Sequence, residues 1–180
     1  MNKKLKILGI NGSASKNSSN LSILNIITEI GKSRFELKII DDLTELPHFK
    51  TELTDINVPK KIIEFRNEIE KADGIIICTP EYIFSIPSGL KNAIEWCVST
   101  TAFSQKPIGL ITASASGLKG HEELKLIMET VETKFVEDTT LLISGIKGKI
   151  DKNSSLKDLE TKKQLDKFVN AFQKLILESK

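Results

Sequence analysis

The sequence predicts an α/β fold in which a parallel β-sheet is covered by helices on both faces. Two observations carry this expectation. Five apolar segments of strand length, at 4–10, 35–40, 74–79, 108–113 and 140–144, alternate with stretches whose apolar residues recur at helical spacing, the pattern of parallel strands joined by helical crossovers. The third segment, Gly74-Ile-Ile-Ile-Cys-Thr79, lacks a polar residue at every second position, as a central strand buried on both faces must.

Each element follows in order. Strand 4–10 leads through a loop rich in Ser and Asn, 11–20, into a helix marked by Ile23, Ile26, Ile27 and Ile30, the i, i+3, i+4, i+7 set of one helical face. After strand 35–40, helix 59–71 opens on Pro59, a good first helical residue, and carries Ile62, Phe65 and Ile69 on one side. Strand 74–79 is followed by loop 79–87 and a helix opened by Pro87 with Leu90, Ala93, Ile94 and Cys97 on one face. Leu124, Ile127, Met128 and Val131 mark the helix after strand 108–113, and Leu165, Phe168, Val169, Phe172 and Ile176 mark the last one, beyond strand 140–144.

A chain of 180 residues can bury about two-thirds of its unfolded surface in one core, so one domain over 1–180 is expected. With 39% apolar and 28% charged residues and a net charge of +2, the composition is that of a globular protein without a nucleic-acid footprint. No apolar run approaches the roughly 20 residues of a membrane span, and the first ten residues lack the apolar core of a secretory signal. A cytoplasmic protein with no membrane partner is expected. Cys78 and Cys97 lie far apart and outside any metal-ligand or redox spacing, which predicts reduced core thiols and no metal site.

Ligands of open α/β sheets bind at the carboxyl ends of the strands, which directs attention to loops 11–20, 79–87 and 114–121. The first reads Asn11-Gly-Ser-Ala-Ser-Lys-Asn-Ser-Ser-Asn20. Small residues let backbone N–H groups approach an anion, and the amino end of the following helix adds a positive dipole. Ser13, Ser15, Ser18 and Asn20 add hydroxyl or amide donors, and Lys16 is the one formal positive charge. That chemistry suits a phosphate monoester; it also suits a solvated turn that ends in a helix N-cap. The loop has neither the G-x-G-x-x-G of dinucleotide sites nor the G-K-[ST] of a P-loop. Asp41 and Asp42, where such a dinucleotide fold would bind ribose, read as a turn. In the second loop Pro80 stiffens the strand exit, and Tyr82 and Phe84 offer aromatic surface, a wall for a flat ring.

Taken together, Gly12-Ser-Ala-Ser-Lys-Asn-Ser-Ser-Asn20 and Pro80-Glu-Tyr-Ile-Phe-Ser-Ile-Pro-Ser-Gly-Leu-Lys-Asn-Ala-Ile-Glu-Trp96 resemble the NADPH-dependent FMN reductase family, which includes bacterial quinone, chromate and azo-dye reductases. The resemblance implies a flavodoxin-like three-layer fold, its five-stranded parallel sheet ordered 2-1-3-4-5 with helices on both faces. It implies one noncovalent FMN, with the phosphate on Ser13, Ser18 and Asn20 and with Ser15, Lys16 and Ser19 of the same loop in contact. Pro80, Glu81, Tyr82 and Ile83 would support the flavin ring, largely through backbone groups, and Ser116 and Gly117 would meet its edge. Members often carry Arg where Ser15 stands and Asn where Ile83 stands.

The same resemblance implies an oxidoreductase in which FMN takes a hydride at N5 from NAD(P)H and passes electrons to a quinone, a flavin or a similar small acceptor. No catalytic side chain is then required, and no Ser/His/Asp or Cys/His set is apparent. A flavodoxin-like electron carrier or flavin-binding module without turnover is the alternative; carriers of that kind tend to be acidic, and this chain is not. A homodimer or homotetramer is implied. His48 reads as a loop residue, His121 as the start of a helix near the ligand loops, and Trp96 as helix packing with a subunit contact as a second use. The charges of 147–163 read as the coat of a loop and of the final helix.

Overall fold

The computed structural model describes residues 4–151 and 153–179. Its strands are β1 (Leu5–Asn11), β2 (Phe35–Ile40), β3 (Gly74–Thr79), β4 (Ile108–Ser114) and β5 (Thr140–Ser144), each within one residue of the predicted segment. All pairings are parallel and the order is β2-β1-β3-β4-β5. The helices are α1 (Ser19–Gly31), α2 (Lys60–Lys71), α3 (Ser88–Glu95), α4 (Leu118–Thr130), the single turn α5 (Ile146–Lys149) and α6 (Leu159–Glu178). Among the described residues, no helix is long and apolar enough to cross a membrane.

Alternate residues of the strands feed two cores. Leu8, Ile10, Ile75, Ile77, Ile108 and Leu110 pack under Phe65 and Ile69 of α2, Leu90 and Ala93 of α3, and Leu124 and Met128 of α4. On the other face Ile7, Ile76, Cys78, Ile111 and Ile143 meet Ile23, Leu24 and Ile27 of α1 and Leu165, Phe168, Val169, Phe172 and Ile176 of α6. Every residue of β3 is buried, which is why this strand carries no alternation. Burying so many Ile and Phe side chains supplies the main driving force, at about 1.5–3 kcal/mol for each.

Pro59 and Pro87 stand one position outside α2 and α3 as N-caps. Each has φ near its ring-fixed value, and its carbonyl accepts the first helical bond, from Ile63 and from Lys91 at 3.1 Å. Trp96 is fully buried; its indole N–H donates to the Pro47 carbonyl at 2.7 Å and its ring meets Phe49 edge-on. It therefore packs within the chain and offers no surface for a subunit contact. Both cysteines are free and buried.

β1 stops where its next residue must lie flat against β3. The Gly12 N–H donates to the Cys78 carbonyl at 2.9 Å, and a Cβ on Gly12 would stand 2.5 Å from Thr79 Oγ1 and 2.9 Å from Leu90 Cδ2. Gly12→Ala is expected to force these apart and destabilise the fold by about 1–3 kcal/mol, read as a lower urea midpoint with an unchanged slope.

Candidate functional site

Loops at the carboxyl ends of the strands enclose one cleft of about 630 Å³. The first loop contributes Ser13, Ser15, Asn17, Ser18, Ser19 and Asn20, and the second contributes Pro80 and Tyr82. Ala113, Ser114 and Ala115 at the end of β4, and Gly145, Ile146, Lys147 and Gly148 after β5, complete the wall.

The first loop is shaped by a buried amide. Asn11 Oδ1 accepts from the Ser13 N–H at 3.2 Å and from the Ser18 hydroxyl at 3.5 Å, while its Nδ2 donates to the Asp41 carboxylate at 2.8 Å. Ser13 Oγ in turn accepts from the Ser15 N–H, and Asn17 adopts a left-handed conformation. Ser18 is the N-cap of α1, accepting from the Leu21 N–H at 3.1 Å. The amides of Ser19 and Asn20 have no acceptor within the helix, and no acidic residue in the first turn offsets its dipole. The N-cap thus leaves the Ser19 and Asn20 amides without an intrahelical acceptor at the mouth of the cleft.

Asn20 ties this loop to two strands. Its Nδ2 donates to the Ala113 carbonyl at 3.2 Å and its Oδ1 accepts from the Cys78 thiol at 3.3 Å. Burial pushes the Cys78 thiol far above the ordinary range and the Cys97 thiol up to about 12. Neither is a nucleophile at neutral pH.

The second loop is a tight hairpin. Tyr82 and Ser85 exchange both backbone hydrogen bonds, and the two residues between them, Ile83 and Phe84, have φ of 52° and 59°. Two consecutive left-handed residues are the arrangement of a type I′ turn, which favours Asn-Gly and is strained for Ile-Phe. Ile83 is 95% exposed and Phe84 76%. The hairpin is clipped to α4 at both ends: Glu81 Oε2 accepts from the Gly120 N–H at 2.8 Å, and Glu123 Oε2 accepts from the Ile86 N–H at 3.3 Å. A Cβ on Gly120 would lie 3.1 Å from Glu81 Cβ and 3.3 Å from the Ser85 carbonyl, so this glycine lets the hairpin dock.

A loop rich in Ser and Asn, a second loop with Tyr82 and Phe84, and a parallel sheet of this order come together on one chain. Residues 5–148 match the NADPH-dependent FMN reductase family. The chain belongs to that family. NADH-dependent flavin reductase subunit 2 of Lactobacillus johnsonii is 34% identical over 128 residues, 64% of this chain and 69% of that protein. A quinone reductase of Escherichia coli K12 is 31% identical over 99 residues, 52% of each. The match therefore spans about half to two-thirds of these relatives' lengths. Among solved structures, FerB, a flavoenzyme NAD(P)H:(acceptor) oxidoreductase from Paracoccus denitrificans, superposes with a TM-score of 0.80, covering 97% of this chain and 98% of that one at 24% identity. The fold is flavodoxin-like, as in FerB.

Of the residues read from sequence, Ser13, Ser15, Ser18, Ser19, Asn20, Pro80 and Tyr82 come together on the cleft. Ser13 Oγ and the Tyr82 hydroxyl stand 3.4 Å apart, linking the first two loops. The Asn20 side chain is turned inward, so only its backbone N–H remains for an anion. Lys16 is exposed and lies outside the lining, as do Glu81, Ile83, Ser116 and Gly117. Glu81 spends its carboxylate on α4, Gly117 is the buried N-cap of that helix, and the Ser116 carbonyl accepts from Ser144. At the third loop the cleft is met two residues earlier, by Ser114 and Ala115.

Sequence reasoning did not single out Asn11 or the turn 145–148, and it read Asp41 with Asp42 as a turn. Asp41 lies at the strand exit as expected, but its carboxylate orients Asn11; Asp42 makes the turn, accepting from the Thr44 amide and hydroxyl, which hold its pKa below the ordinary value. Lys147, read as part of a charged coat, lines the cleft. The available signal was position: the turn follows the carboxyl end of a strand, as the three chosen loops do.

His48 is exposed, as expected of a loop residue. His121 is half-buried in the first turn of α4, with Nδ1 2.9 Å from Thr112 Oγ1. Burial, then the Lys125 ammonium, lowers its pKa, against the opposing pull of Glu137 and Glu122. As pH falls through about 6.5, the unfolded chain takes up a proton that folded His121 resists, so stability declines; at higher pH both states are neutral and the effect vanishes. His121→Gln should flatten this decline in urea unfolding measured between about pH 7 and pH 5. Ile83→Asn, which tolerates the left-handed conformation, should raise stability by about 1 kcal/mol in the same assay at neutral pH.

Proposed function

We propose that this chain is an NAD(P)H:acceptor oxidoreductase that holds one FMN in the cleft between its first, second and third ligand loops. The observation that carries the reading is convergence. An anion cradle at the amino end of α1 and a wall at Pro80 and Tyr82 meet on one cavity whose lining, among the described residues, includes no His, Cys, Asp or Glu. A cleft so built can bind, orient and exclude water, and its lining offers no imidazole, thiol or carboxylate for general acid or base work. The donors fit a phosphate monoester: the Ser19 and Asn20 amides, the Ser13 and Ser15 hydroxyls, and a helix end free of carboxylates.

Bound there, FMN supplies hydride acceptance from NAD(P)H and delivery of electrons to a second substrate. The protein's share is placement. Ser13, Ser15, Ser18 and Ser19 hold the phosphate end, and Pro80 and Tyr82 support the ring, with the backbone of Glu81 and Ile83 at its polar rim. Ser114 and Ala115 close the opposite side. Ser116 and Gly117 act from behind, by setting the path of that loop. The acceptor class is a quinone, free flavin or another electron-poor small molecule, supported by the flavin reductase and quinone reductase activities named for relatives. We place the whole of 1–180 in one domain and the protein in the cytoplasm, as a homodimer or homotetramer.

The test is the visible spectrum of the purified protein, followed by NADPH or NADH without oxygen. A yellow protein that bleaches, and regains colour when a quinone is added, is the expected result. A colourless protein that takes up no added FMN, or a yellow one that neither nucleotide reduces, overturns the proposal.

A further inference from the structure

A phosphate dianion is held best where a charge-assisted hydrogen bond reaches it, yet the first loop sets no cation on the cleft. Ser15 lines the cleft with a neutral side chain, and Lys16 lies outside the lining. The far wall carries one. Lys147, exposed like Lys16, lines the cleft from the turn after β5, and among the described residues its ammonium has no hydrogen bond or ion pair. Its neighbour Lys149, by contrast, is tied to Asp158 and Thr161.

The turn is held firmly. Ile146 is 3% exposed within the core, the Gly145 N–H donates to the Ala115 carbonyl at 3.0 Å, and the Ser144 hydroxyl donates to the Ser116 carbonyl at 2.7 Å. Gly145 and Gly148 flank the pair Ile146-Lys147, and a Cβ on either would meet nothing within 4 Å. Lys147 thus stands on a held turn that lines the same cleft as the amino end of α1. We infer that Lys147 is the cation that pairs with the FMN phosphate in this chain. This assignment rests on the FMN reading above.

The test compares FMN with riboflavin, which has the same ring and no phosphate, by titration of apoprotein with flavin fluorescence as the readout. Lys147→Gln should raise the Kd for FMN about tenfold, while the Kd for riboflavin stays within about twofold; Lys147→Arg should keep FMN affinity. The salt dependence of FMN binding should weaken in Lys147→Gln. Unchanged FMN affinity in Lys147→Gln, equal loss of FMN and riboflavin, or a loss of FMN in Lys16→Gln but not in Lys147→Gln would each overturn the assignment and leave the FMN reading standing. Wild-type protein that binds neither flavin removes that reading, and the assignment with it.

Discussion

The carboxyl edge of the sheet depends on how β1 ends. The strand ladder stops at the bond from the Gly12 N–H to Cys78, and from there the Asn11 side chain takes over the work of backbone pairing. Its oxygen gathers Ser13 and Ser18 and its nitrogen is anchored by Asp41 at the exit of β2. Asn11 is 1% exposed, and a fully satisfied buried amide both stiffens its surroundings and is costly to disrupt. The first loop is therefore shaped by Asn11 at the end of β1 and Asp41 just beyond β2, neither of which lines the cleft.

The other loops are tied in by the same economy of polar contacts. Asn20 joins the start of α1 to β3 and β4, and the two glutamates of the hairpin and α4 grip each other's backbone. Ser144 and Gly145 fasten the fifth strand's turn to the third loop. Four segments far apart in sequence thus reach the cleft already in place, which reduces the ordering that ligand binding would otherwise require. The strained Ile83–Phe84 turn is tolerated because clips on both sides hold it.

The fold was legible because its signals are periodic and local. The strand segments hold almost to the residue, and the helical faces named from spacing, such as Ile23 with Ile27 and Leu124 with Met128, are the buried ones. The site was legible as a set of loops and less so as side chains. Ser18, Asn20 and Glu81 have the residue types a ligand would want, but their side chains are spent on the fold. A sequence shows a donor without showing what it donates to. Lys147 escaped notice for the converse reason: in a run that also holds Lys149, Lys157, Lys162 and Lys163 it looks like any surface charge, and only the path of the chain after β5 sets it apart.

Cys78 lies two residues before Pro80 of the cleft, with its thiol closed in by α1 and bonded to Asn20. Burial there and at Cys97 removes the thiolate on which peroxide attack and disulfide exchange depend. Both thiols are thus held in the protonated form, the less reactive one toward oxidants. Closed into the core on both faces of the sheet, these sulfurs serve as packing volume.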